Sequence, residues 1–392
     1  MGSAKLIFSM DRYNKKLIFV SACMGMLIFG IVMAVLGSLL PSLIEKFNIG
    51  LADAGSLFLV LNLGILAGSM IFGPVADRFG YKGLLSLCAF LVFAAIQGIA
   101  FAPSVVILKA SLFVTGFAGG SINGGTNALV SDISGENRGA RLTFLGVFFG
   151  IGALGLPFLL GTLLDRFSYE TLTAFVGILI LLPFLLFASI RFPLPKHSQG
   201  FAVGEGFRLA RETTLLLFGL LLFIQSGLEM TVGGWSAAFL NEELAIGGRQ
   251  SVLFLSLYWL GLIIARIALT GLLRHVGKHI VMMYSFLIAI AGSVLLLLSQ
   301  NLVLALPGLL LTGIGFAAVF PLVFAYVGSL YPKYSGTAFG VILAIALLGG
   351  MSYPYLVGLL AGTFSLRAGL LLVPVSLVCS GLLFRSLYRR IK

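Results

Sequence analysis

Gly73-Pro74-Val75-Ala76-Asp77-Arg78-Phe79-Gly80-Tyr81-Lys82-Gly83 is the densest polar punctuation in the chain, wedged between two long apolar runs with few residues in which to turn. An Asp beside an Arg and a Lys is too costly to leave in hydrocarbon, so the stretch reads as a water-interface connection between two membrane spans.

The composition agrees. Of 392 residues, 59% are hydrophobic and 10% charged, and the mean hydropathy is +1.12, which leaves too little charged surface for a soluble globule. Apolar runs of about 20 residues recur, each of which must satisfy its own backbone hydrogen bonds as a helix does, and no series of short alternating strands suggests a barrel. The first run, Lys15 to Pro41, is too long for a signal-peptide core, lacks a small-residue cleavage site and is followed by further runs, so it reads as a retained span. Cys23, Cys88 and Cys379 each fall inside an apolar run without metal-ligand spacing and read as packing residues.

The expected fold is therefore an all-α integral membrane protein with twelve transmembrane helices. They are placed at about 15–42, 52–74, 82–102, 104–132, 138–164, 170–190, 212–240, 249–272, 278–299, 302–330, 336–362 and 367–388. Only one connection is long. Residues 191–211 carry Arg191, Lys196, His197, Arg208 and Arg211 with Pro193 and Pro195, the composition of a solvated linker between an N-terminal six-helix bundle (1–190) and a C-terminal one (212–392).

Charge sets the orientation. Alternate connections place 19 of the 25 Lys and Arg residues on the side holding both termini and the linker, and five on the other, with Arg266 inside a span. By the positive-inside rule the richer side is cytoplasmic, so the net charge of +12 reads as topology rather than as affinity for nucleic acid.

An internal repeat supports two bundles. An offset of 197 residues superposes Gly30 on Gly227, Gly37 on Gly234, Gly64 on Gly261, Gly80 on Gly277, Gly152 on Gly349, Pro157 on Pro354 and Gly161 on Gly358. Two parallel repeats of six spans imply similar bundles with a site between them near the midplane, from which rocking gives alternating access. The second copy of the opening stretch is Arg274-His275-Val276-Gly277-Lys278-His279, which keeps the glycine and the basic residues but has Arg274 where Asp77 stands.

Chemistry-bearing residues are few. No G-x-x-x-x-G-K-[ST] loop is present, and three histidines with scattered cysteines build neither a metal site nor a catalytic constellation. An enzyme is not expected, no cofactor is called for, and transport driven directly by ATP is disfavoured. What remains is facilitated diffusion or coupling to H+ or Na+.

Of the thirteen acids, Glu229 is the one placed well inside a span. An acid at that depth costs a few kcal/mol on insertion scales and normally faces a cavity, a partner or a substrate. Gln225 lies one turn earlier on the same face, and Trp235 closes the glycine-rich segment 227–235, which is easily bent. The alternative is a neutral Glu229 hydrogen-bonded between helices. In the fourth span Asn123 and Asn127 share a face among small residues, suited to the hydroxyls of a polar ligand, or equally to gluing helices together. Arg266 lies about six residues from the end of its span, where it can snorkel, pair with a buried acid or meet an anion. Asn62 and Trp259 are further substrate-binding candidates, with Gln97, Tyr258, Tyr326, Tyr353 and Tyr355 behind them.

The opening stretch resembles the G-x-x-x-D-R-x-G-x-K cytoplasmic loop of the major facilitator superfamily, matched by Gly73, Asp77, Arg78, Gly80 and Lys82. That resemblance implies a gate. Asp77 would face the amides around Ser335 to Thr337 at the start of the eleventh helix, its basic neighbours would lie near the carboxylate of Asp132, and Arg138 would complete the set. A negative side chain at a helix N-terminus contributes on the order of 0.3 to 1 kcal/mol at an exposed site.

Gly227-x-Glu229-x-x-x-Gly233-Gly234-Trp235 together with Asn127 further resembles the fucose permease-like sugar:cation symporters. Those carriers use acids in the first and fourth helices. Here no acid occurs between Lys16 and Pro41, and the fourth span has asparagines and only the terminal Asp132, so any coupling would fall to Glu229.

The expectation is thus a monomeric secondary transporter in the cell (inner or plasma) membrane with both termini cytoplasmic, carrying a small polar solute, a monosaccharide first. Its partners would be that solute and the lipid bilayer, not nucleic acid. The alternatives are a drug or metabolite/H+ antiporter and a facilitative uniporter. Gly152, Gly155, Pro157 and Gly161 fit the fifth-helix antiporter signature G-x-x-x-G-P-x-x-G-G only with altered spacing.

Overall fold

The computed structural model describes residues 13–134, 138–193, 211–332 and 335–391. Among them, twelve helices are long and apolar enough to cross a membrane. They are α1 (Lys15–Phe47), α2 (Leu51–Gly73), α3 (Arg78–Ala100), α4 (Val105–Ser134), α5 (Arg138–Leu163), α6 (Tyr169–Ser189), α7 (Thr213–Glu242), α8 (Gly248–Leu272), α9 (Lys278–Leu298), α10 (Leu302–Leu330), α11 (Ser335–Thr363) and α12 (Leu366–Ile391). Most of the linker, residues 194–210, lies outside the described residues.

Three departures from the expected spans have physical causes. The 73–83 stretch is no open loop: backbone helix runs into it from both sides and breaks at Gly80, where φ is 78° and ψ 169°. Only glycine adopts that conformation without strain, so the motif glycine is the turn itself. Helix α1 continues through Pro41, five residues beyond the expected end at 42, to Phe47. It stops instead at Asn48, whose φ of 48° and the 3.3 Å bond from the Ile49 amide to the Ile44 carbonyl form a left-handed C-cap. Third, the hydrogen bonding of α10 is interrupted between Leu302–Phe316 and Val319–Leu330, a local break at Ala317 and Ala318 that leaves both residues at helical φ and ψ.

By their contacts the described residues fall into two compact units. One holds residues up to Val32, Gly64–Gly152 and Thr173 onward to the linker; the other holds Met33–Leu63, Ala153–Leu172 and the chain from the linker to its end.

The 197-residue repeat is expressed as helix packing within these units. In the first, a Cβ on Gly64 of α2 would collide with the Phe113 carbonyl of α4; in the second, one on Gly261 of α8 would collide with the Leu310 carbonyl of α10. Residues 113 and 310 are themselves 197 apart, so the repeat preserves both sides of the contact. Close approach through small residues is how helices associate where lipid removes the hydrophobic drive. Gly37 of α1 and Gly234 of α7, matched by the same offset, touch each other inside the second unit, where a Cβ on Gly37 would lie 2.9 Å from the Gly234 Cα.

Ion pairs tie helix ends in the second unit: Lys46 to Glu170 at 3.5 Å, Arg249 to Asp165, and Arg367 to Glu243 at 3.5 Å. Cys23 and Cys88 are buried as packing residues, whereas Cys379, expected to pack likewise, is exposed on α12.

Candidate functional site

Helix α7 is buried along much of its length, with Gln225 and Glu229 one turn apart on it and Ser226 directly after Gln225. At i and i+4, Gln225 and Glu229 must share a face, and the Gln225 Nε2 donates to Glu229 Oε1 at 2.8 Å. The same amide nitrogen donates to the Phe316 carbonyl at 3.3 Å. Phe316 ends the first piece of α10, so Gln225 satisfies a carbonyl at the break while it orients the carboxylate. A carboxamide has two N–H donors, enough for both bonds.

Glu229 is half-buried whereas Gln225 is buried. Arg266 on α8, also half-buried, stands within electrostatic reach of the Glu229 carboxylate. Tyr258, fully buried on α8, donates its hydroxyl to the Glu229 backbone carbonyl at 3.4 Å and meets Phe316 edge-on at 6.2 Å. A carboxylate, a guanidinium, a phenol and an amide thus converge where α7, α8 and the break in α10 meet.

Asn62 of α2 belongs to the same unit. It is buried, donates to the Phe58 carbonyl at 2.9 Å, and turns its Oδ1 toward Gly350 of α11, where Ser226 Oγ and Met230 also lie. Trp235 is fully buried, with its indole N–H donating to the Pro354 carbonyl at 3.0 Å and its ring 5.5 Å from Phe58. Its polar atom is occupied, so it offers packing surface and no free donor. Trp259 is buried against Tyr258, with ring centroids 5.0 Å apart.

Asn123 and Asn127 lie in the other unit. The Asn127 Nδ2 donates to Asn123 Oδ1 at 3.0 Å, to the Asn123 carbonyl at 2.9 Å and toward Met26 Sδ at 3.8 Å. Both side chains are half-buried.

Of the gate residues, Gly80 makes the turn, while Arg78 and Lys82 are exposed, Arg78 over the Phe79 ring at 5.3 Å. Asp132 accepts from the Tyr81 hydroxyl at 2.8 Å, so a tyrosine of the motif, not singled out in the sequence, reaches the acid ending α4. The side chains of Asp77, Arg138 and Ser335 lie outside the described residues.

Sequence reasoning missed the α10 break and Ser226. The run Gly313-Ile314-Gly315-Phe316-Ala317-Ala318 followed by Pro321 was the available signal, since small residues before a proline mark a helix easily interrupted.

The model of the Major Facilitator Superfamily matches residues 22–351 and 220–392. An uncharacterized transporter, y4wD of Sinorhizobium fredii, is 27% identical over 353 residues, 88% of this chain and 91% of its own. The glucose/mannose transporter GlcP of Bacillus subtilis is 23% identical over 345 residues, 84% of each. Among solved structures, a variant of the nucleoside transporter NupG superposes with a TM-score of 0.80 at 16% identity, covering 96% of this chain and 100% of its own.

Proposed function

The chain belongs to the Major Facilitator Superfamily, and from that premise we propose that it is a secondary transporter carrying a monosaccharide by alternating access. The observation that carries the reading is the polar group in the second unit. Gln225 is bonded to Glu229 and to the broken end of α10, with Arg266 facing the carboxylate. The disturbed turn of α10 directs a backbone carbonyl at this polar group, a milder form of the discontinuous helices that hold cargo in some transporters.

Sugar hydroxyls both donate and accept. Glu229 and the Gln225 oxygen would accept from them, Arg266 would donate, and Asn62, Asn123 and Asn127 would do either. Trp235 and Trp259 would supply apolar backing. That GlcP is a glucose/mannose transporter supports this class of cargo. The moving bodies would be two six-helix bundles, residues 1–190 and 212–392, joined by linker 191–211.

The orientation proposed is a cell-membrane protein with both termini cytoplasmic. The excess of nineteen basic residues over five on the opposite side supports it. On the cytoplasmic side Asp77 would latch onto the start of α11. Asp77→Asn should slow transport while leaving affinity within a few fold; an unchanged rate refutes the latch.

Coupling to H+ or Na+ would run through Glu229. The facilitative alternative rests on Arg266, which stands within electrostatic reach of Glu229 and gives the carboxyl a partner within the protein. Uptake of labelled hexoses into proteoliposomes, with and without a pH or sodium gradient, separates these readings. Accumulation above the external concentration indicates coupling, equilibration alone indicates a uniporter, and no hexose uptake under any gradient refutes the monosaccharide reading.

A further inference from the structure

The degenerate second copy of the motif, Arg274 to His279, has no part in the function proposed above, yet it sits at the mouth of a groove. A concave surface of about 580 Å³ opens where α8, α9 and the middle of α10 meet. Its walls are apolar and include Ile264, Ala268 and Leu272 of α8, Ile280 and Tyr284 of α9, and Ile314 of α10. From residue 264 to 272 the helix rises about 12 Å, close to the roughly 15 Å of one leaflet of a bilayer. The groove is therefore as deep as one acyl chain lies in its own leaflet.

Its water-facing end is positively charged. Arg274, His275 and Lys278 are exposed in the tight connection between α8 and α9. Lys278 stands over the Tyr326 ring at 6.0 Å, which holds the ammonium at the interface. The N-cap of α9, Gly277, supplies no side chain to its first-turn amides, and although the Ile280 amide donates to the Gly277 carbonyl at 3.0 Å, the positive end of the helix favours an anion. No Asp or Glu follows Glu243 in the sequence, so α8 through α12 provide no acid to neutralise this connection.

We propose that this groove binds one anionic phospholipid, with an acyl chain along the apolar wall and its phosphate held by Arg274, Lys278 and the first amides of α9. The repeat explains how the two copies diverged. Where the first copy keeps the acid Asp77, the second has Arg274, a substitution that would disable a contact to a helix N-terminus and creates one to a phosphate.

Native mass spectrometry of the full-length protein, delipidated in detergent and titrated with phosphatidylglycerol or phosphatidylcholine, tests this. Wild type should retain one phosphatidylglycerol with roughly ten- to thirtyfold preference over phosphatidylcholine, the contribution expected of two basic side chains at a membrane surface. R274Q/K278Q should lose that preference, K15Q/K16Q should keep it, and A268F, which fills the groove, should release both lipids. Size-exclusion profiles matching wild type establish that the variants are folded. No preference in wild type, or a preference that survives R274Q/K278Q or falls equally in K15Q/K16Q, overturns the proposal, as does retention undiminished in A268F.

Discussion

Two helices each carry a carboxamide bonded to a residue one turn away, and the pairs differ in what surrounds them. On α4, Asn127 donates to Asn123 and to the backbone of its own helix. On α7, Gln225 donates to Glu229 and to a carbonyl on another helix. The first pair largely satisfies itself. The second ties a charge to the break in α10 and meets a countercharge from α8. Identical i, i+4 spacing thus yields a local staple in one place and a convergent polar group in the other, because only the second has a third helix delivering a group to it.

The largest effect should come from removing the countercharge. Arg266→Gln leaves Glu229 without its partner; both side chains are half-buried, so thermal unfolding in detergent should register a loss of about 3 kcal/mol, the low end of the cost of breaking a buried pair. Glu229→Gln should lose gradient-driven accumulation and retain exchange, and accumulation persisting in that variant removes the coupling role. The double variant E229Q/R266Q should recover stability without recovering accumulation. Recovery of neither would mean that the two residues act separately.

Next comes the bridge. Gln225→Ala orphans the Phe316 carbonyl and takes a donor from the carboxylate, for a loss of about 1 to 3 kcal/mol. Asn127→Ala should cost less, about 0.5 to 1.5 kcal/mol, since it removes an ordinary hydrogen bond between neighbours. Equal losses at the two positions would erase the contrast between α4 and α7. If Asn127 touches the cargo, its variant should also raise KM at nearly unchanged stability.

Smaller effects are expected away from both pairs. Gly80→Ala places a Cβ on a residue at φ 78° and should cost about 1 kcal/mol. Arg249→Gln breaks an ion pair whose members are 42% and 59% exposed, so a change below about 1 kcal/mol is expected. A larger shift in melting temperature would show that Arg249 matters through its bond to the Gly161 carbonyl, at 3.1 Å, more than through charge.

Much of this was legible from residues in order. Spans could be read because hydrocarbon admits few polar groups, and each helix settles its own backbone bonds regardless of its neighbours. The repeat could be read because Gly64 and Gly261 must both accommodate an approaching carbonyl. Gln225 and Glu229 stood out because acid and amide are rare at that depth. The end of α1 was misplaced because Pro41 looked like a stop, while the residue that ends the helix, Asn48, does so by its backbone conformation. Tyr81 was passed over because its partner Asp132 is 51 residues away.

The sequence by itself determined the membrane class, the number of spans, the twofold repeat and the few residues able to carry charge inside the membrane. These follow from transfer energies and spacing along one chain. Only the tertiary structure decided that Gln225 serves the break in α10, that Trp235 has no free donor and that Arg266 faces Glu229. The same holds for the basic second copy of the motif, which it set at the mouth of an apolar groove. Each of those outcomes depends on which helices meet, and no local pattern encodes the partner that a distant segment brings.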